Sequence, residues 1–88
     1  MHLGIKIKKI RQLRDYKQSY MADMLNIEQN TYSKIENGKT SLTVDRLDAI
    51  AEILGVSRDF IENFDANKFI KNANLSISVN TLENFVKA

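Results

Sequence analysis

Four side chains within six residues, Gln29, Asn30, Ser33 and Lys34, offer two carboxamides, a hydroxyl and an ammonium with no carboxylate among them. At roughly 100° per residue they share one polar arc of a short helix, and Thr31, Tyr32 and Ile35 take the opposite side. Amides pair bidentately with adenine, a lysine reaches guanine or phosphate, and a hydroxyl serves either, so the arc suits base edges in a major groove. The helix stops at Asn37-Gly38, where glycine takes a left-handed backbone freely. Lys39, Thr40 and Ser41 follow as donors within reach of a phosphate backbone. The competing reading is an amphipathic helix whose polar face is merely solvated.

Other chemistry has little material. There is no cysteine, and His2 is the sole histidine, so thiolate zinc sites, disulfides and histidine-based catalysis are set aside and no cofactor or metal is expected. His2 reads as a solvated terminus. Gly38-Lys39-Thr40 looks like the end of a phosphate-binding loop, but that loop needs a glycine at position 33, where Ser33 stands, and a preceding strand. The carboxylates scatter over outward helix positions, and no nucleophile has a base nearby, so an enzyme is the weakest reading. No run of about 18 apolar residues and no leader pattern appears, which places the chain in the cytosol, away from the membrane. Asn74-Leu75-Ser76 matches a glycosylation sequon without the secretory context that would give it meaning.

The 88 residues allow one domain with one small core. The formal charge of +2 is modest, but it is unevenly spread. Residues 1–40 carry eight Lys/Arg against four acids, and residues 41–64 two against five. One half is basic and the other acidic, as expected if one side approaches a polyanion.

These side chains need helices to hold them. Leu3, Ile7 and Ile10, with Leu13 at the edge, predict a helix from Leu3 to Asp15. Arg11 lies beside that stripe, and an arginine on a packing face needs a partner. A second helix is predicted over Gln18 to Leu25, with Met21, Ala22, Met24 and Leu25 inward. Asn26-Ile27-Glu28 then makes a tight connection, so the second and third segments form a helix-turn-helix arrangement. Thr43 as N-cap, Asp45 in the first turn, the repeat Val44, Leu47, Ile50, Ala51, Leu54 and the stop at Gly55 predict a fourth helix. Ser57 opens a fifth, running through Phe60, Ile61 and Phe64. The expected fold is all-α: residues 1–64 form a five-helix domain, and residues 65–88 an extension. There Leu75, Ile77 and Val79 alternate like a strand, and Leu82, Phe85 and Val86 suit a final helical turn. Its eight large apolar side chains are many for a solvated tail, and we expect the extension to serve dimerisation.

From Ile7 to Phe60 the chain resembles the Cro and phage-repressor type helix-turn-helix family, often called the XRE family. The matching residues are Ile10-Arg11, Gln18, Met21-Ala22, Leu25, Ile27, Gln29, Ser33 to Lys39, Leu47, Ile50-Ala51 and Leu54 to Ser57. The resemblance implies a lambda-repressor-like domain binding double-stranded DNA. It assigns base contacts to Gln29, Asn30, Ser33 and Lys34, and gives Gln18 a backbone contact and a bracing role toward the third helix. It also pairs Arg11 with Glu36, which supplies the partner that Arg11 needs. Asp15 stands where the family has glycine, and Lys17 and Glu28 stand at helix starts where Ser or Thr often caps. Glu28 puts a negative charge close to the expected groove.

The resulting expectation is a homodimeric transcriptional regulator, a repressor, reading a near-palindrome. Lys17, Gln18, Asn37, Lys39 and Thr40 hold the phosphates in this reading. Two alternatives stay open: an antitoxin or other module that binds a partner protein such as a toxin through its tail, and a restriction-modification controller protein.

Overall fold

Five helices follow one another in the computed structural model, which describes residues 2–65: α1 Leu3–Leu13, α2 Gln18–Leu25, α3 Gln29–Glu36, α4 Val44–Leu54 and α5 Arg58–Glu62. No strand occurs among the described residues. The stretches expected at Leu75 to Val79 and Leu82 to Val86 lie outside them.

One device ends the first four helices. Asp15 (φ 61°), Asn26 (φ 57°), Gly38 (φ 71°) and Gly55 (φ 72°) each adopt a left-handed backbone just past a helix. In every case the next residue's N–H returns to a carbonyl five positions earlier: Tyr16 to Arg11, Ile27 to Ala22, Lys39 to Lys34 and Val56 to Ala51, at 2.9–3.1 Å. This double turn satisfies carbonyls that a helix end leaves open. It also shortens α1, which stops at Leu13 and not at the expected Asp15, because Asp15 has already left helical space. At the starts, Thr43 Oγ1 accepts from Arg46 N–H at 3.1 Å and Ser57 Oγ from Phe60 N–H at 2.9 Å. His2 does more than end the chain, since its Nδ1 accepts from Ile5 N–H at 3.3 Å. Lys17 and Glu28 make no side-chain cap.

Ile7, Ile10, Met21, Tyr32, Ile50, Leu54 and Ile61 are fully buried and form the centre of the core. Aliphatic burial of this kind is worth about 1.5–3 kcal/mol per side chain. The helix α3 rests on α1 and α2, α4 on α2, and α5 on α1 and α4. Phe64 lies past the end of α5 and is still buried, its ring centroid 5.9 Å from that of Phe60.

Three inward assignments are corrected. Met24 is 55% exposed, because Met21, Ala22 and Leu25 already fill the packed arc of an eight-residue helix. Val44 is 59% exposed. It begins α4, and side chains lean toward the N-terminus, which carries Val44 beyond the last core layer. Thr31 is exposed, since the packed arc of α3 is Tyr32, Ile35 and Glu36; burial of Glu36 turns that arc away from Thr31.

The sequence pattern did not mark Gly4. A Cβ there would stand 2.5 Å from Glu36 O and 2.8 Å from Glu36 C, and nearer still to Ile35 O. Helix α1 therefore crosses the last turn of α3 backbone to backbone. In an exposed helix interior, Gly→Ala stabilises by up to about 1 kcal/mol. Here the clash reverses the sign: Gly4→Ala is expected to lose about 1–3 kcal/mol, read as a lower Tm, and a raised Tm would refute the close crossing.

Candidate nucleic-acid interface

The helix α3 has eight residues and divides sharply. Gln29, Asn30 and Lys34 are exposed and Ser33 is half-buried, whereas Tyr32 is 0%, Ile35 4% and Glu36 2% exposed. The two carboxamides and the ammonium thus share the side away from the core. Ser33 Oγ accepts from Asn37 Nδ2 at 3.4 Å, so Asn37 braces the end of the helix on its outer side. Gly38 carries the chain out of the helix, and Lys39 and Thr40 follow on the surface. Lys17, at the start of α2, is exposed as well.

The opposite side is held by one carboxylate. Glu36 Oε2 accepts from Arg11 Nε at 2.7 Å and from the Tyr32 hydroxyl at 2.5 Å. Glu36 Oε1 accepts from Arg11 Nη2 at 3.2 Å and from Gln18 Nε2 at 2.9 Å. Four donors from α1, α2 and α3 converge on two oxygens, with the guanidinium in the two-pronged geometry that suits carboxylates. Arg11 also donates from Nη1 to Tyr16 O at 2.8 Å, which ties the turn after α1 into the same cluster. Gln18 therefore bridges α2 to the last turn of α3, and it is half-buried beside the exposed Lys17.

The charges follow. Burial alone would raise the Glu36 carboxyl, but the hydrogen bonds from Arg11, Tyr32 and Gln18 outweigh it and hold the group below the usual glutamate range. Burial works against the Arg11 cation too, and Glu36 more than restores it. The Tyr32 hydroxyl is pushed well above its usual range, first by burial and then by its bond to Glu36, so it remains a donor.

Arg14 is a second buried arginine, and sequence reasoning assigned it nothing. Its Nε donates to Leu54 O at 2.7 Å and its Nη2 to Gly55 O at 3.4 Å, closing the C-terminus of α4. The carbonyls it meets lie some forty residues away, so no local pattern announces the contact. No helix among the described residues is long and apolar enough to cross a membrane.

A helix-turn-helix family model matches residues 7–61. A curated relative, the SPbeta prophage-derived uncharacterized HTH-type transcriptional regulator YonR of Bacillus subtilis (strain 168), is 41% identical over 58 residues. That alignment takes in 66% of this chain and 54% of the relative, so the chain spans about half the relative's length. A chain in the solved SinR protein/SinI protein complex superposes with a TM-score of 0.61 over 98% of this chain and 92% of its own length. At 23% identity that likeness is one of fold.

Removing the shared carboxylate leaves Arg11 buried without its partner, so Glu36→Ala should cost about 3–5 kcal/mol in urea unfolding at neutral pH. Because the native carboxyl titrates below the unfolded one, its contribution is complete above about pH 4.3 and fades as pH falls through the depressed native value. The gap between parent and variant should narrow only in that acid range. A gap unchanged down to strong acid, or no gap at pH 7, contradicts the assignment.

Proposed function

The chain belongs to the XRE-type helix-turn-helix family, and from that premise we propose that it is a sequence-specific regulator of transcription that binds double-stranded DNA in the cytoplasm. The observation that carries this reading is the division of α3: Gln29, Asn30 and Lys34 outward, Tyr32, Ile35 and Glu36 clamped inward. A helix in a major groove needs an outer face of donors and acceptors on a backbone that does not yield when phosphates pull on it. Gln29, Asn30, Ser33 and Lys34 read bases. Lys17, Gln18, Asn37, Lys39 and Thr40 hold phosphates and set the register. Gln18 has a double duty, since its amide already donates to Glu36 at 2.9 Å and leaves its remaining groups for the backbone of DNA.

A reading helix of this length covers only a few base pairs, and two copies related by a two-fold axis supply the rest. We place their third helices on half-sites about 34 Å apart, forming a near-palindrome. Occlusion of a promoter, hence repression, is the simplest consequence. The contact between copies belongs to residues 65–88, whose large apolar side chains are Phe69, Ile70, Leu75, Ile77, Val79, Leu82, Phe85 and Val86. A partner protein such as a toxin, recognised by the same surface, is the second reading.

Selection of bound sequences from a random DNA pool tests the assignment. Lys34→Ala should change which bases are selected, at about 1–3 kcal/mol for the position it reads. Lys39→Ala should weaken all sites alike and reduce the slope of log affinity against log salt by about 0.9. A pool that yields no enriched sequence refutes the regulator. Truncation after Phe64 should turn the dimer into a monomer in sedimentation, and an unchanged mass would move the contact into the helical domain.

A further inference from the structure

The start of α1 lies against the turn that ends α3. Gly4 brings the two backbones together there, and two residues earlier the His2 ring lies over Gly38: a Cβ at Gly38 would stand 3.1 Å from His2 Cε1 and 3.3 Å from both Nδ1 and Nε2. Position 38 is therefore restricted to glycine twice, by its left-handed φ of 71° and by a ring that occupies the space a side chain would need. His2 is exposed, as are Asn37, Gly38, Lys39 and Thr40. The imidazole and the turn share one patch of surface.

The other side of the ring decides what it can offer. His2 Nδ1 accepts from Ile5 N–H at 3.3 Å and so caps α1. An imidazole nitrogen that accepts carries no proton, so the cap fixes the tautomer with its N–H at Nε2. Nε2 donates to no atom among the described residues. One directed donor, held by α1 and braced on Gly38, thus stands unused beside Lys39 and Thr40.

We propose that His2 is a further DNA-backbone contact, its Nε2–H donating to a phosphate oxygen at the turn formed by Gly38 and Lys39; the proposal rests on the reading of α3 as the helix that enters the groove. Gly38 has no side chain to hold a sugar-phosphate strand away, Lys39 brings the charge, and His2 brings a hydrogen bond of fixed direction. Because cap and turn place the ring before DNA arrives, little side-chain freedom is lost in using it. The contact is uncharged, so it sets position without displacing a counterion. It also gives α1 a direct part in binding, beyond its support of α3 through Arg11.

Substitutions separate the two duties of the ring. His2→Ser keeps an acceptor for Ile5 N–H but is too short to reach past Gly38, whereas His2→Ala has neither function. His2→Ser should melt with the parent and His2→Ala below it. On duplexes enriched by the parent, His2→Ser should bind about 3- to 10-fold more weakly, alike for all sequences, with the slope of log affinity against log salt unchanged. Replacing single phosphates by uncharged methylphosphonates should narrow the gap between parent and His2→Ser at one backbone position in each half-site and nowhere else. His2 is the sole histidine, so the imidazole ¹⁵N spectrum of the parent supplies a measurement that needs no variant: the proton should sit on Nε2, and the Nε2 resonance should move when duplex is added. Equal affinity of parent and His2→Ser overturns the contact, and so does a changed salt slope, a gap that no methylphosphonate narrows, or an imidazole indifferent to DNA. Failure of the parent to enrich any sequence overturns the regulator and this contact with it, so the two failures are read apart.

Discussion

The architecture turns on one carboxylate. Glu36 ends α3, and its two oxygens take four hydrogen bonds, from Arg11 on α1, from Gln18 on α2 and from Tyr32 one turn back on its own helix. A buried charge without partners is among the most costly things a small domain can contain, and a buried charge with four well-placed donors becomes a joint. Because those donors come from three helices, the joint fixes the orientation of α3 about its axis as well as its position. Gly4 permits it: only a residue without Cβ lets α1 approach the Ile35 and Glu36 carbonyls closely enough for Arg11 to arrive.

This arrangement explains how a helix of eight residues can present a defined outer face. Alone, a segment of that length is marginal in water. Here its last turn is held by Glu36 and closed by Gly38, and its inner side is filled by Tyr32 and Ile35. The polar arc of Gln29, Asn30, Ser33 and Lys34 then has no structural duty beyond the contact between Ser33 and Asn37. Side chains released from packing are available for recognition, and a rigid support lowers the entropic cost of using them.

The two buried arginines divide the labour. Arg11 supports α3, and Arg14 closes α4 through the Leu54 and Gly55 carbonyls. Three residues apart on the chain, they bind partners on different elements, so the end of α1 acts as a hub between α3 and α4. The same logic isolates Arg46, whose Nη1 has no such partner.

Local pattern determined much of this protein. Helix order, the bounds of α2 and α4, the caps at Thr43 and Ser57, and the stops at Gly38 and Gly55 follow from propensity and hydrogen-bonding rules that act within a few residues. The arc shared by Gln29, Asn30, Ser33 and Lys34 was legible for the same reason, since a helical period is a local quantity. The pairing of Arg11 with Glu36 was reached through family resemblance, because periodicity says only that Arg11 needs something. Tertiary structure alone decided the rest: that Gly4 is required by a crossing backbone, that Arg14 reaches carbonyls forty residues away, and that Met24, Val44 and Thr31 face outward. Each depends on which neighbouring helix occupies the adjoining space, and the positions that would reveal it are far apart along the chain.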